Sequence, residues 1–180
     1  MKKLAIIVVL ATVFSSVNLA QAASTGTITF NGELTASTCD VSIDGQGADA
    51  MVVLPTVGIN QLTSATQVAG STGFNMALSN CAGTLKTVSA FFEAGSSVDV
   101  VTGHLKNVSG TAGQVSLELL DGSNAFTPIK AGNSNQTTST TYVDAATGSA
   151  SLPYAVQYYA DGATTAGTVV SNVVYSIQYK

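Results

Sequence analysis

Thr27-Ile28-Thr29-Phe30-Asn31-Gly32-Glu33-Leu34-Thr35-Ala36-Ser37 alternates without a break. Ile28, Phe30, Gly32, Leu34 and Ala36 fall on one face, which carries no polar side chain. Thr27, Thr29, Asn31, Glu33, Thr35 and Ser37 fall on the other, which carries nothing else. Successive side chains of a strand point to opposite faces, so a period of two with one dry face is the pattern of a half-buried strand. Gly32 sits within the dry face. A glycine inside a strand adds no packing and often marks the close approach of another backbone. A bulge in the chain's own first strand is the alternative.

The same period recurs outward from this stretch. Strands are predicted at Met51–Leu54, Gly73–Ser79, Val88–Glu93, Val98–Val101, Gln114–Leu120, Leu152–Ala160 and Thr168–Tyr179. Turn-forming stretches separate them, among them Asp44-Gly45-Gln46-Gly47, Asp121-Gly122-Ser123-Asn124 and Asp161-Gly162. Ala131–Thr141, rich in Asn, Ser and Thr, is expected to be a long exposed loop. Seven or eight short strands with such turns point to an all-β sandwich of immunoglobulin-like type. In the last run Val169, Val173, Tyr175, Ile177 and Tyr179 share a face that only Ser171 interrupts. A terminus this apolar is not left loose and has to pair with something. An ordinary final strand of a closed sandwich satisfies that need as well.

The 180 residues begin with Lys2-Lys3, an apolar run, and Ala20-Gln21-Ala22, the pattern of a secretory signal. Cleavage after Ala22 leaves 158 residues, enough for one domain with a sizeable core. With Lys2 and Lys3 gone, four lysines and no arginine stand against ten acidic residues, a net charge of −6. A surface that tracks phosphates needs clustered cations, so nucleic-acid binding is excluded. No second long apolar run follows the signal, so the mature chain is not expected to span a membrane.

Cys39 and Cys81 are the only thiols. An even count in an exported chain points to a disulfide, which at that span stabilises by roughly 4 kcal/mol. Two separate buried thiols are the alternative. Two Cys and the single His104 are too few for a zinc site, and neither a Gly-x-Ser-x-Gly elbow nor a phosphate loop occurs. Glu118 and Asp121, three apart on a strand, face opposite sides and are not expected to share acid–base work. No catalytic residue, metal or cofactor is expected. Asn107-Val108-Ser109 and Asn135-Gln136-Thr137 fit a glycosylation pattern that is common by chance in a Ser/Thr-rich chain.

Several pieces in order resemble the major subunits of type 1-like fimbriae assembled by the chaperone–usher route. They are Phe30-Asn31-Gly32 with Cys39 soon after, Gly73-Phe74-Asn75-Met76-Ala77-Leu78-Ser79-Asn80-Cys81, and Gln114-Val115-Ser116-Leu117-Glu118-Leu119-Leu120-Asp121. The end is the most specific: Tyr154-Ala155-Val156-Gln157-Tyr158-Tyr159-Ala160, then Gly167 fourteenth from the C-terminus and Tyr179 penultimate. The resemblance implies an incomplete immunoglobulin-like sandwich that lacks its last strand. A periplasmic chaperone fills the gap first; the N-terminal extension of the next subunit then replaces it, a form of strand addition. It implies a signal at 1–22, an extension at 23–37 and a pilin domain at 38–180. Ile28, Phe30, Gly32 and Leu34 would be the donor face. Gly167, Val169, Val173, Tyr175, Ile177 and Tyr179 would line or border the groove, and the chaperone would grip the carboxylate of Lys180. The partners implied are further copies of the chain or related pilins, the chaperone and an outer-membrane usher, and the destination is a fimbria at the cell surface. A minor or adaptor pilin, or a secreted carbohydrate-binding sandwich using Tyr142, Tyr158 and Tyr159, is the alternative.

Overall fold

The structure is a computed structural model that describes residues 26–36 and 38–180. The expected signal at 1–22, the start of the extension at 23–25, and Ser37 lie outside the described residues. The chain divides into two units, one ending at Glu33 and the other running Leu34–Lys180. In the first, residues 26–33 have no regular secondary structure, and Ile28 and Phe30 are 78% and 88% exposed. Leu34, which opens the second, is fully exposed. The described residues of the stretch with the cleanest strand pattern, 27–36, therefore join no sheet here. Alternation says which face seeks burial; it does not say which chain supplies the neighbouring strand.

Leu34–Lys180 forms a two-sheet sandwich. Its strands are β1 (Thr38–Ile43), β2 (Val68–Ala82), β3 (Thr87–Phe92), β4 (Leu105–Lys106), β5 (Val115–Asp121), β6 (Thr127–Ile129), β7 (Val143–Asp144), β8 (Ala150–Ala160) and β9 (Tyr175–Tyr179). One sheet has the order β1-β2-β8-β5-β4, with β6 also pairing β5; the other is β7-β3-β9. Every recorded pairing is antiparallel. Alternate residues of the long strands face inward: Phe74, Met76 and Leu78 of β2, Leu117 and Leu119 of β5, and Leu152, Tyr154 and Val156 of β8. They meet Val88, Ala90 and Phe92 of β3. Each such large side chain contributes about 1.5–3 kcal/mol on full burial. The Tyr154 ring meets Phe92 edge-on, at 5.2 Å between centroids. Cys39 and Cys81 are joined, which ties β1 to β2.

On the side of β3 away from β9, the short β7 pairs with Thr87 and Val88, and the rest of that edge is closed by side chains. The Ala90 N–H donates to the Tyr154 hydroxyl at 3.0 Å, and the Phe92 N–H donates to Gln136 Oε1 at 2.9 Å. Gln136 Nε2 returns a bond to the Phe92 carbonyl at 3.0 Å. Gln136 sits in a short helix, α1 (Gln136–Ser139), and is buried. So Ala131–Thr141 is not simply an exposed loop: it carries this helix, and Ala131 and Gln136 are buried.

Three strand expectations change. Val98–Val101 is a turn with a single bridge from Val98 to Leu105, because Asp99 Oδ1 accepts the Val101 and Thr102 N–H groups at 2.8 and 3.1 Å. Asp99's carboxyl is held below its usual range by those backbone bonds. Met51–Leu54 belongs to no sheet, and Thr168–Tyr179 is strand only from Tyr175 onward. Met51–Leu54 has no ladder partner on either side, and the stretch from Thr168 to Val174 is bonded on one side only.

Candidate functional site

The chain from Gly167 to Lys180 forms one wall of a gap between the sheets. Its even-numbered residues are bonded into the domain. Val108 N–H donates to the Val170 carbonyl at 2.9 Å, and Ala112 N–H to the Thr168 carbonyl at 3.0 Å. The Asn107 side-chain amide imitates a strand here: Oδ1 accepts the Val170 N–H at 2.8 Å and Nδ2 donates to the Thr168 carbonyl at 3.1 Å. A Cβ on Gly167 would overlap the Ala112 amide nitrogen, so only glycine fits this contact. Further on, Glu93 N–H donates to the Val174 carbonyl, and Lys180 and Thr87 exchange both backbone bonds. Neighbouring residues of an antiparallel strand present their amides to opposite sides. The amides of Val169, Ser171, Val173, Tyr175, Ile177 and Tyr179 therefore point outward along one edge. No strand among the described residues pairs with it.

The facing wall is Ala50–Val57, likewise outside any sheet. Val52 and Leu54 pack on the core, while Met51 and Val53 are 75% and 76% exposed. Between the walls lie two cavities. One, of about 350 Å³, has a largely apolar lining that includes Val52, Leu54, Phe74, Phe92, Val156, Val173 and Tyr175. The other, of about 590 Å³, lies toward Val57, Ile59, Val115, Tyr158, Gly167 and Val169. Hydrogen bonds that involve the segments continuing the walls mark both ends. Tyr175 donates its hydroxyl to the Ala48 carbonyl at 2.7 Å, and Thr164 bonds the Leu62 carbonyl through N–H and Oγ1 at 3.1 and 2.9 Å. Ala48 lies in a braced loop. Gln46 bonds both backbone groups of Met51 at 3.1 Å, and Asp44 exchanges bonds with Asn75. Burial, and then the charge of Asp49, push the Tyr175 phenol above its usual range.

The residues expected at this groove divide. Gly167 and Val169 line the larger cavity, and Val173 and Tyr175 the smaller. Ile177 and Tyr179 pack on the core but line neither, and Tyr179 lies beside the Cys39–Cys81 bridge. Lys180 turns back on the domain. One oxygen of its carboxylate accepts from the Lys86 and Thr87 N–H groups, and its Nζ lies 3.7 Å from the Tyr142 ring centroid. Asn107, Gln46 and Ala48 were missed. Asn107 showed only as part of a glycosylation pattern, Gln46 only as part of a turn-forming stretch, and nothing in the sequence marks Ala48. Ser171 was visible as a break in the apolar row. Its Oγ is buried and has no hydrogen-bond partner among the described residues.

The remaining polar cluster lies on the outer face of β5. His104 Nε2 is 3.5 Å from Glu118 Oε1, and Gln157 donates to Glu118 Oε2 at 2.7 Å. Those two neighbours, His104 foremost, hold the Glu118 carboxyl below its usual range against the opposing effect of burial. Ser116 lies 3.4 Å from His104 Nδ1 but donates its proton to Asp161 at 2.9 Å, so it is not set up as a nucleophile with a base. Glu118 and Asp121 work apart: Asp121 accepts the Ser123 and Thr141 N–H groups. The three tyrosines considered for sugar binding are committed elsewhere. Tyr158 lines the groove, Tyr159 packs on His104, and Tyr142 bonds Gln178.

The sequence model of the family described as type-1 fimbrial protein, A, matches residues 54–180. The chain belongs to the type-1 fimbrial protein family. The major fimbrial subunit SMF-1 of Stenotrophomonas maltophilia (strain K279a) is 44% identical over 165 residues, covering 89% of this chain and 96% of the relative. The F17 fimbrial protein of Escherichia coli is 36% identical over 177 residues, covering 96% and 95%. Among solved structures, the P pilus rod subunit PapA is 19% identical, with a TM-score of 0.49 over 86% of this chain and 100% of its own. This fimbrial protein is thus a structural subunit of a surface fimbria, a polymer built from such chains. No helix among its described residues is long and apolar enough to cross a membrane.

Proposed function

We propose that this fimbrial subunit polymerises by donating Ile28–Leu34 of one copy to the groove of the next. One observation carries the reading: the same chain holds an unpaired edge over apolar cavities and an exposed alternating segment that joins no sheet. A strand needs a partner edge and a dry face, and each part supplies what the other lacks. Ile28, Phe30 and Leu34 each contribute about 1.5–3 kcal/mol on full burial. Backbone bonds along the edge add roughly 0.5–1.5 kcal/mol each. Neighbouring subunits are then held tightly without a covalent link.

In this reading 1–22 is removed on export, 23–37 is the extension and 38–180 is the receiving domain. Before assembly a periplasmic chaperone covers the edge from Val169 to Tyr179 and reaches the carboxylate of Lys180, and an outer-membrane usher receives the complex. The test is Gly32→Trp. A ring on the donor's dry face holds the two backbones apart, while the domain keeps its own core. Export, the Cys39–Cys81 bridge and chaperone capture should persist, and filaments should disappear. Normal filaments would overturn the assignment of this segment as donor.

A further inference from the structure

We propose that Asn31-Gly32 is a self-modification site that limits the life of an unassembled subunit, and that assembly protects it; the protection rests on the donor-strand reading above. Asn31 is the one asparagine in the chain that glycine follows. Both residues are exposed, belong to no regular secondary structure and hydrogen-bond no other described residue. Glycine has no side chain to hinder attack by its own backbone nitrogen. A Cβ at Gly32 would meet nothing within 4 Å, so the surroundings leave room for a ring to close. The three Asp-Gly pairs, which close the same ring more slowly, are pinned instead. Asp44 accepts the Asn75 N–H, Asp121 the Ser123 and Thr141 N–H groups, and Asp161 the Ser116 hydroxyl, all at 2.9 Å.

The step needs only the chain and water. The Gly32 backbone nitrogen attacks Asn31 Cγ, the Cγ–Nδ2 bond breaks, and the amide nitrogen leaves as ammonia with the proton from Gly32. Water then opens the cyclic imide. Attack at Cγ leaves aspartate at position 31. Attack at the Asn31 backbone carbonyl leaves isoaspartate, whose main chain runs through the side chain and is longer by one carbon. Asn31 lies on the polar face, so a carboxylate alone is tolerated there. The added carbon is not: it throws Leu34 out of phase with Ile28 and Phe30, and the shared dry face is lost. In a ladder, strand dihedrals hold the Gly32 nitrogen away from Cγ, and the hydrogen bonds oppose the rotation that brings them together. An assembled copy therefore keeps Asn31, and a copy left unassembled loses its donor.

The test incubates the mature chain at mildly alkaline pH as dilute monomer and as purified filaments, in water labelled with oxygen-18. Peptide mass spectrometry follows Asn31, and labelling by an isoaspartyl methyltransferase counts isoaspartate. In the monomer Asn31 should convert ahead of every other asparagine, with isoaspartate the main product, and the yield of assembled filaments should fall in step. In filaments conversion should be at least about tenfold slower. Fresh Asn31→Asp should assemble like the parent, and Asn31→Gln, whose ring closes far less readily, should keep its yield through the incubation. An Asn31 that stays intact in the monomer, or converts no sooner than the other asparagines, overturns the site. A yield that falls as fast in Asn31→Gln as in the parent overturns its effect on assembly. Conversion in filaments as fast as in the monomer leaves the site standing but overturns the protection, and with it the donor reading.

Discussion

Phe30→Ala separates what a residue does for its own subunit from what it does for the next. Phe30 is 88% exposed in the single chain, so shortening it removes little packing there. Exposed substitutions of this kind change folding stability by no more than about 0.5 kcal/mol. In a filled groove the ring is buried, and a buried Phe→Ala change costs about 3–5 kcal/mol. At roughly 1.4 kcal/mol per tenfold, the contact between subunits weakens by about 10²- to 10⁴-fold. Two assays read the two quantities. Urea unfolding of the dilute monomer, followed by circular dichroism, gives the stability of the single chain. The rate at which purified filaments release subunits in mild denaturant gives the strength of the contact. The expected outcome is an unchanged unfolding midpoint with much faster release. A monomer destabilised by several kcal/mol, with filament release unchanged, would place Phe30 in its own domain's core and refute the reasoning.

Two further outcomes concern the domain itself. Gln136→Ala strands the Phe92 N–H in a buried position, while the Phe92 carbonyl keeps its bond from the Gly132 N–H; an unsatisfied buried group costs about 1–3 kcal/mol, so the urea midpoint should fall. Glu118 gives a pH signature. Its carboxyl titrates below the ordinary value in the folded chain, chiefly through His104, so its contribution is present above the unfolded pKa and is lost as pH falls through the folded one. Urea titrations of the parent and Glu118→Gln between neutral and acid pH should show the parent's advantage shrinking toward acid; an advantage that grows there contradicts the assignment.

The strands that form the core were legible because each carries its own dry face. Phe74-Met76-Leu78, Leu117-Leu119 and Leu152-Tyr154-Val156 are period-two rows on strands long enough to display the period. Strand β1 was missed, and so were β4, β6 and β7, which at two or three residues are too short for any period. Val98–Val101 has strand-like composition, but Asp99 offers the backbone a local alternative and the turn wins. Gln136 looked like loop polarity; its burial depends on backbone groups of β3 that lie 44 residues earlier. At the groove, the sequence marks the apolar row of the wall but not the hydrogen bonds that aim it. Which side of Val169–Tyr179 is free follows only from where the even-numbered residues bond, through Asn107, Ala112 and Glu93.

Amide hydrogen exchange on intact filaments tests most directly whether Ile28–Leu34 pairs with the free edge of a neighbouring copy. Exchange is slowed where backbone groups are hydrogen-bonded within a stable ladder. In the single chain, residues 28–34 should exchange freely, as should the outward amides of Val169, Ser171, Val173 and Tyr175. In filaments both sets should become strongly protected together, while the amides of β2 and β8 stay unchanged. Filaments in which residues 28–34 still exchange as fast as in the single chain would contradict donor-strand assembly.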